Sequence, residues 1–230
     1  MCFSAEGDLV GGLVVVAIGV DACRHLKGRS EYLFVAALPI ALGLHQIDEA
    51  FVWWSLRGLV SHPIGQIALW IYLVFAFVAL PVLIPLLVLG LERTPARRWR
   101  VVPFVALGAL VGAILLETMI RNHPSAQIGN YHITYSIGLR HGVLIVGLYV
   151  VATCGPLLIS GFRHLVWFGV SNLIALTVLA RLSADGFTSL WCFYAALASG
   201  AIALFLRFGQ PGLPGDEPAV DASSTRPALP

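Results

Sequence analysis

Along most of the chain, apolar runs alternate with short polar breaks, and the runs are long enough to cross a bilayer. A transmembrane helix takes about 17–25 residues, and seven such runs can be marked: 3–23, 32–56, 66–91, 101–120, 142–160, 164–182 and 187–206. No water reaches backbone groups in hydrocarbon, so each run is expected to be helical. The pattern predicts an all-α polytopic membrane protein, a seven-transmembrane-helix bundle forming one domain over residues 1–208. The first run is the weakest, because Glu6, Asp8 and Asp21 cut into it. Pro39, Pro81 and Pro85 are expected to bend the second and third helices, and the Gly108-x-x-x-Gly112 spacing reads as helix packing. Residues 209–230, rich in Pro, Ala and Ser, have no apolar face to bury and are expected to form a disordered cytosolic tail. No internal repeat stands out, so the inverted-repeat signature of many transporters is missing.

Composition agrees: 58% of the residues are hydrophobic and 11% charged, against about 25% charged in soluble domains. Charge then sets the orientation. The connections after the first, third and fifth runs, with the tail, hold ten of the fourteen basic residues, and the opposite side holds Arg57, Arg121, Arg140 and Arg181. By the positive-inside rule the N-terminus lies outside and the C-terminus in the cytosol. That asymmetry accounts for the net charge of +2, so the expected partners are the lipid bilayer and a small solute or ion, with no nucleic acid. Nothing in the pattern speaks to oligomeric state. Glu6 and Asp8 stand where a signal peptide would be basic, so the N-terminus is expected to be kept.

One stretch breaks the apolar rule at depth. Residues 43–54, GLHQIDEAFVWW, place His45, Asp48 and Glu49 inside the second run. His45 falls near mid-membrane, with Glu49 about 6 Å further out at 1.5 Å per residue. Residues three and four apart share a helix face, which groups His45, Asp48, Glu49 and Val52, with Trp53 flanking and Trp54 turned away. Two central carboxylates cost about 5–7 kcal/mol on the insertion scale, and the apolar residues of this run return about 3–7 kcal/mol. The helix is comfortable only if this face turns into the bundle and the carboxyls are protonated, paired with His45 or bound to a cation. Glu117 shares a face with Ala106, Ala109 and Ala113, small residues expected to meet a neighbouring helix; the alternative is an ion pair with Arg121. At the same outer level the sequence puts Arg121, His123, Asn130, Tyr131, His132, Tyr135, Arg140 and His141, together with Cys2, Trp191 and Cys192. Cys23 and Cys154 read as small buried hydrophobes.

The opening Met1-Cys2-Phe3-Ser4-Ala5, the His45-Gln46-x-x-Glu49 element followed by Val52-Trp53, and the Ser189-Leu190-Trp191-Cys192-Phe193-x-Ala195-Ala196 run resemble an uncharacterised family of bacterial integral membrane proteins. The resemblance spans the chain. It implies the bacterial inner membrane and points to Cys2, His45, Glu49, Trp191 and Cys192, with Asp48 outside the pattern. It supplies no reaction.

Several chemistries are excluded. A retinal Schiff base needs a lysine in the last helix, whereas the only lysine is Lys27. Seven-helix zinc hydrolases of the ceramidase type would carry a His-x-x-x-His pair near the last helix, which holds no histidine. No Gly-rich phosphate loop indicates a nucleotide. Two functional readings remain beside a purely structural clamp. In the first, a ligand or proton site of His45, Asp48, Glu49, Trp53, Glu117 and Trp191 binds or translocates a proton, metal ion or small solute. In the second, His45, Glu49, Cys2 and Cys192 hold a transition metal such as zinc in a membrane-embedded, hydrolase-like enzyme. For Cys2 and Cys192, a disulfide or inert thiols are the alternatives in an oxidising compartment. A polar path through the inner half would favour transport, and only Ser171, Asn172 and Thr177 suggest one.

The orientation is testable with reporters. Alkaline phosphatase fused after Phe208 should be inactive and a fluorescent protein at the same point bright; active phosphatase there reverses the topology.

Overall fold

The computed structural model describes residues 4–26, 32–129, 132–182 and 196–204, and of residues 179–182 the backbone alone. The helices are α1 (Ala5–Arg24), α2 (Leu33–Leu56), α3 (His62–Leu91), α4 (Pro95–Asn122), α5 (Gly142–Ile159) and α6 (Arg163–Leu182). A further helical stretch, α7, covers 196–204. These elements fall on the apolar runs. Four of them, α2, α3, α4 and α5, are long and apolar enough to cross a membrane. Of the seventh run, only 196–204 lies within the described residues, and the tail lies outside them.

The structure departs from the all-helical expectation at one place. The connection from α4 to α5, expected to be a polar loop, contains an antiparallel hairpin of β1 (Ser125–Ile128) and β2 (Ile133–Ser136), with Ala126 opposite Tyr135 and Ile128 opposite Ile133. Four-residue strands with one buried side chain leave too weak a period to stand out among turn residues.

α1 and α2 set the packing. Ser4 caps α1, its hydroxyl accepting from the Gly7 N–H at 3.1 Å. Gly12 and Gly43 then face one another so closely that a Cβ on either would lie 2.6–2.7 Å from the other's carbonyl oxygen, and Gly19 sits equally tight on Ile40. This antiparallel register carries Asp8 one turn beyond Gly12, level with the turn of α2 that holds Glu49. α3 contains a π-helical turn at Phe75–Ala79, where the Leu80 N–H donates to the Phe75 carbonyl five residues back. Pro81 follows, lacking the N–H that would continue the regular ladder, and its ring makes room for the widened turn. α4 crosses at this point, with Gly108 resting on the Pro81 carbonyl.

Buried apolar residues gather at both ends of the bundle. At the hairpin end Ala5, Ala50, Trp53, Tyr72, Met119 and Ile133 pack together; at the opposite, arginine-bearing end Ala22, Val35, Val88, Leu91, Leu157 and Leu165 do so. The outward surface is apolar too, with Phe34, Ile67 and Val143 exposed, as suits a hydrocarbon surround.

The close approach of α1 and α2 predicts an asymmetry among glycines. Gly12→Ala or Gly43→Ala should lower stability by about 1–3 kcal/mol, whereas Gly90→Ala, with nothing within 4 Å of the added carbon, should not. Thermal melts in detergent would show the contrast.

Candidate functional site

Glu49 is completely buried on α2, beside Gln46, Ala50, Val52 and Trp53, with His45 and Asp48 half-buried. Its partner comes from the hairpin: the Tyr135 hydroxyl donates to Glu49 Oε1 at 3.1 Å. The Tyr135 ring lies on Tyr72 at 4.8 Å between centroids, and Tyr72 in turn stacks on His45 at 4.0 Å, 12° from parallel. Phe75, in the first position of the π turn, lies against the same imidazole at 4.8 Å. Three elements far apart in sequence thus form one column of rings, and the carboxyl hangs from its end.

The hairpin is held so that Tyr135 reaches down. Residues i and i+2 of a strand share a face, and Ile133, wholly buried among Ala5, Trp53 and Met119, anchors the face that Tyr135 continues. Asn122 at the end of α4 donates from Nδ2 to the carbonyls of Ile137 and Gly138, at 3.0 and 3.1 Å. Gly138 takes φ +63°, a left-handed turn that glycine adopts freely.

Around the column, polar atoms are buried beyond what the chain satisfies. His45 Nδ1, Asp48 Oδ2, Trp53 Nε1 and His132 Nε2 have no hydrogen-bond partner among the described residues. Buried polar atoms are usually paired, so this group of acceptors and an indole donor is chemically unspent. Asp8 is also fully buried. Arg57 lies over the Trp53 ring at 5.1 Å and pairs with Glu6 at 3.7 Å, closing the edge.

Glu117 stands apart from this cluster, a correction to the face assigned to α4. It is exposed, 2.7 Å from Arg121, and Ala106, Ala109 and Ala113 are exposed with it. The packed face is instead Gly108, Val111, Gly112, Leu115 and Met119, because a glycine lets a backbone come nearer than an alanine does. Cys2, Trp191 and Cys192 lie outside the described residues. Among the described residues no three His, Cys, Asp or Glu side chains stand close enough to hold a metal ion.

Sequence reasoning missed several members. Tyr72 looked like one more residue of an apolar run, and Asp8 like a flaw in a weak span. Gln46 counted only as part of a motif, and Tyr135 only as a polar loop residue. Glu92 went unnoticed at the other end. It is 4% exposed and accepts from the Ser160 hydroxyl at 2.8 Å and the Gly161 N–H at 2.7 Å, tying the α3–α4 connection to the α5–α6 connection. A lone acid beside Arg93, Arg97, Arg98 and Arg100 was the available signal.

Apolar helices of membrane-crossing length around a buried polar cluster define a helical protein of the membrane type. The chain belongs to the family of unknown function DUF6629, whose model matches residues 1–216 and so takes in every described element. That accords with the resemblance to an uncharacterised family. No curated protein and no solved structure matches the chain.

Tyr135→Phe removes one hydroxyl and leaves the ring stack. It should destabilise the protein by about 1–3 kcal/mol by depriving a buried carboxyl of a donor, while Arg121→Ala, at an exposed ion pair, should change stability by less than about 1 kcal/mol. Melting curves of the two variants check the pair.

Proposed function

We propose that the protein is a multi-pass protein of the bacterial inner membrane with seven spans, N-terminus outside, whose outer end holds a hairpin-capped site binding a proton or a small polar solute. The observation that carries this reading is Glu49, completely buried, bonded to Tyr135 of the hairpin and flanked by buried polar atoms that the described chain does not satisfy. Ionisable groups within membrane spans are functional candidates by default.

Binding is favoured over passage through the bilayer. Among the described residues, the half towards the arginine-bearing end is filled by an apolar cluster of Ala22, Tyr32, Val35, Val88, Leu157 and Phe162. The hydroxyls of Thr153, Ser171 and Thr177 donate to carbonyls of their own helices, Tyr149, Phe168 and Leu173. Hydroxyls turned back on the backbone do not line a path, and Asn172, buried with its Oδ1 unpartnered among the described residues, is a single polar group and not a chain of them.

Glu49→Gln keeps the side-chain shape and can still accept from Tyr135. It should therefore leave the fold intact while removing a titrating carboxyl band from the infrared difference spectrum taken across a pH step. Glu49→Leu should lose the band and also melt lower by several degrees. A difference spectrum unchanged in Glu49→Gln sinks the proposal. A stoichiometric transition metal in purified protein, lost in the same variant, would favour the enzyme reading with His45, Cys2 and Cys192.

A further inference from the structure

A cavity lies at the end of the bundle opposite the hairpin. It encloses about 320 Å³ between α2, α3, α6 and α7, with walls of Val35, Leu38, Ile84, Leu87, Phe168 and Ala201. Its rim is formed by Tyr32 and His164, and it runs down α6 as far as Ser171. At 1.5 Å per residue that is a trough about 10 Å deep along the bundle axis. A narrow apolar trough of this form suits a hydrocarbon chain. It does not suit a polar solute.

The charge at its mouth narrows the occupant. Arg93, Arg97, Arg98, Arg100 and Arg163 have no ion-pair partner among the described residues, whereas at the hairpin end Arg57 and Arg121 are paired and Arg140 alone is not. Arg97 of α4 reaches the start of α6, since its guanidinium lies directly against Gly161, two residues before Arg163. The first turns of α4 and α6 hold no acid, and there the helix dipole adds positive charge to positive. Glu92 makes no ion pair with them, its carboxyl accepting instead from Ser160 and Gly161, and a single acid leaves the five arginines in excess. Trp99 and Trp167 are exposed at the same level, 73% and 62%, the position tryptophan takes at a membrane interface.

We propose that this trough seats an acyl chain of an anionic phospholipid whose phosphate lies among Arg97, Arg163 and the neighbouring arginines. Basic pockets between helices on the cytoplasmic side hold such headgroups by the same pairing of charge with an adjacent apolar wall. The site is separate from the Glu49 cluster; it rests on the membrane reading and not on what binds at Glu49.

The experiment uses the full chain purified in detergent, melted with long-chain phosphatidylglycerol, long-chain phosphatidylcholine or short-chain phosphatidylglycerol. Long-chain phosphatidylglycerol alone should raise the melting temperature by several degrees. The double variant Arg97→Ala with Arg163→Ala should lose that shift, and so should Ala201→Trp and Ser171→Phe, which fill the trough, each melting like the parent without lipid. A shift given equally by phosphatidylcholine or by the short-chain lipid overturns the proposal, as does one that survives the trough-filling variants. Recovery of the chain in the soluble fraction of cells would overturn the membrane reading itself, a result distinct from either.

Discussion

Placing a carboxyl where no water reaches is the constraint around which the hairpin end is organised. A buried polar group without a hydrogen bond is destabilising by several kcal/mol in an apolar medium, and Glu49 is completely buried. Its donor cannot come from a regular helix backbone, whose N–H groups are already used. One donor comes from Tyr135, which requires a strand to lower it, a buried Ile133 to seat the strand and an Asn122 bridge to hold the strand's exit. The hairpin is thus explained by the acid beneath it.

The column of rings transmits that constraint inwards. Tyr72 stands between Tyr135 and His45, and Phe75 meets His45 from the first position of the π turn. Tyr149 on α5 donates to the Ala76 carbonyl at 2.6 Å, satisfying a backbone acceptor in the turn that Pro81 disrupts. π turns inside α-helices are frequent at functional sites. Here the turn holds the imidazole against two aromatic side chains of the same helix while α5 braces the far side.

Much of this was legible in the sequence, and the boundary of legibility is physical. Among the described residues, apolar runs locate the helix ends to within about six residues, the largest gap being the start of α4 at Pro95, because a long apolar run is a strong signal. The cost of carboxyls at depth singled out His45, Asp48 and Glu49, and the polar face does turn into the bundle. For Glu117 the alanine stripe suggests a packed face and Arg121 an ion pair; the ion pair forms, because the glycines of the same helix allow closer contact still and take the packed face. Tyr72 and Tyr135 were hidden for another reason. Their importance lies in a stack between α3 and a hairpin more than sixty residues downstream, and no local pattern reports such a pairing. Asp8 shows the same limit, since only the Gly12–Gly43 approach reveals the level at which it sits.

The two ends of the bundle then differ in kind. At the hairpin end, Arg57 and Arg121 are paired with acids, and several buried polar atoms find no partner among the described residues. At the other end the core is apolar, the buried Glu92 accepts from Ser160 and Gly161, and among the described residues the surplus is positive charge on the surface. In the proposed reading, the polar excess beneath the hairpin takes a small partner, and the cationic excess beside the apolar trough takes a lipid that lies along it. The two sets of residues do not overlap: Glu49 and Tyr135 belong to the hairpin end, while the trough is walled by members of the apolar cluster at the arginine-bearing end.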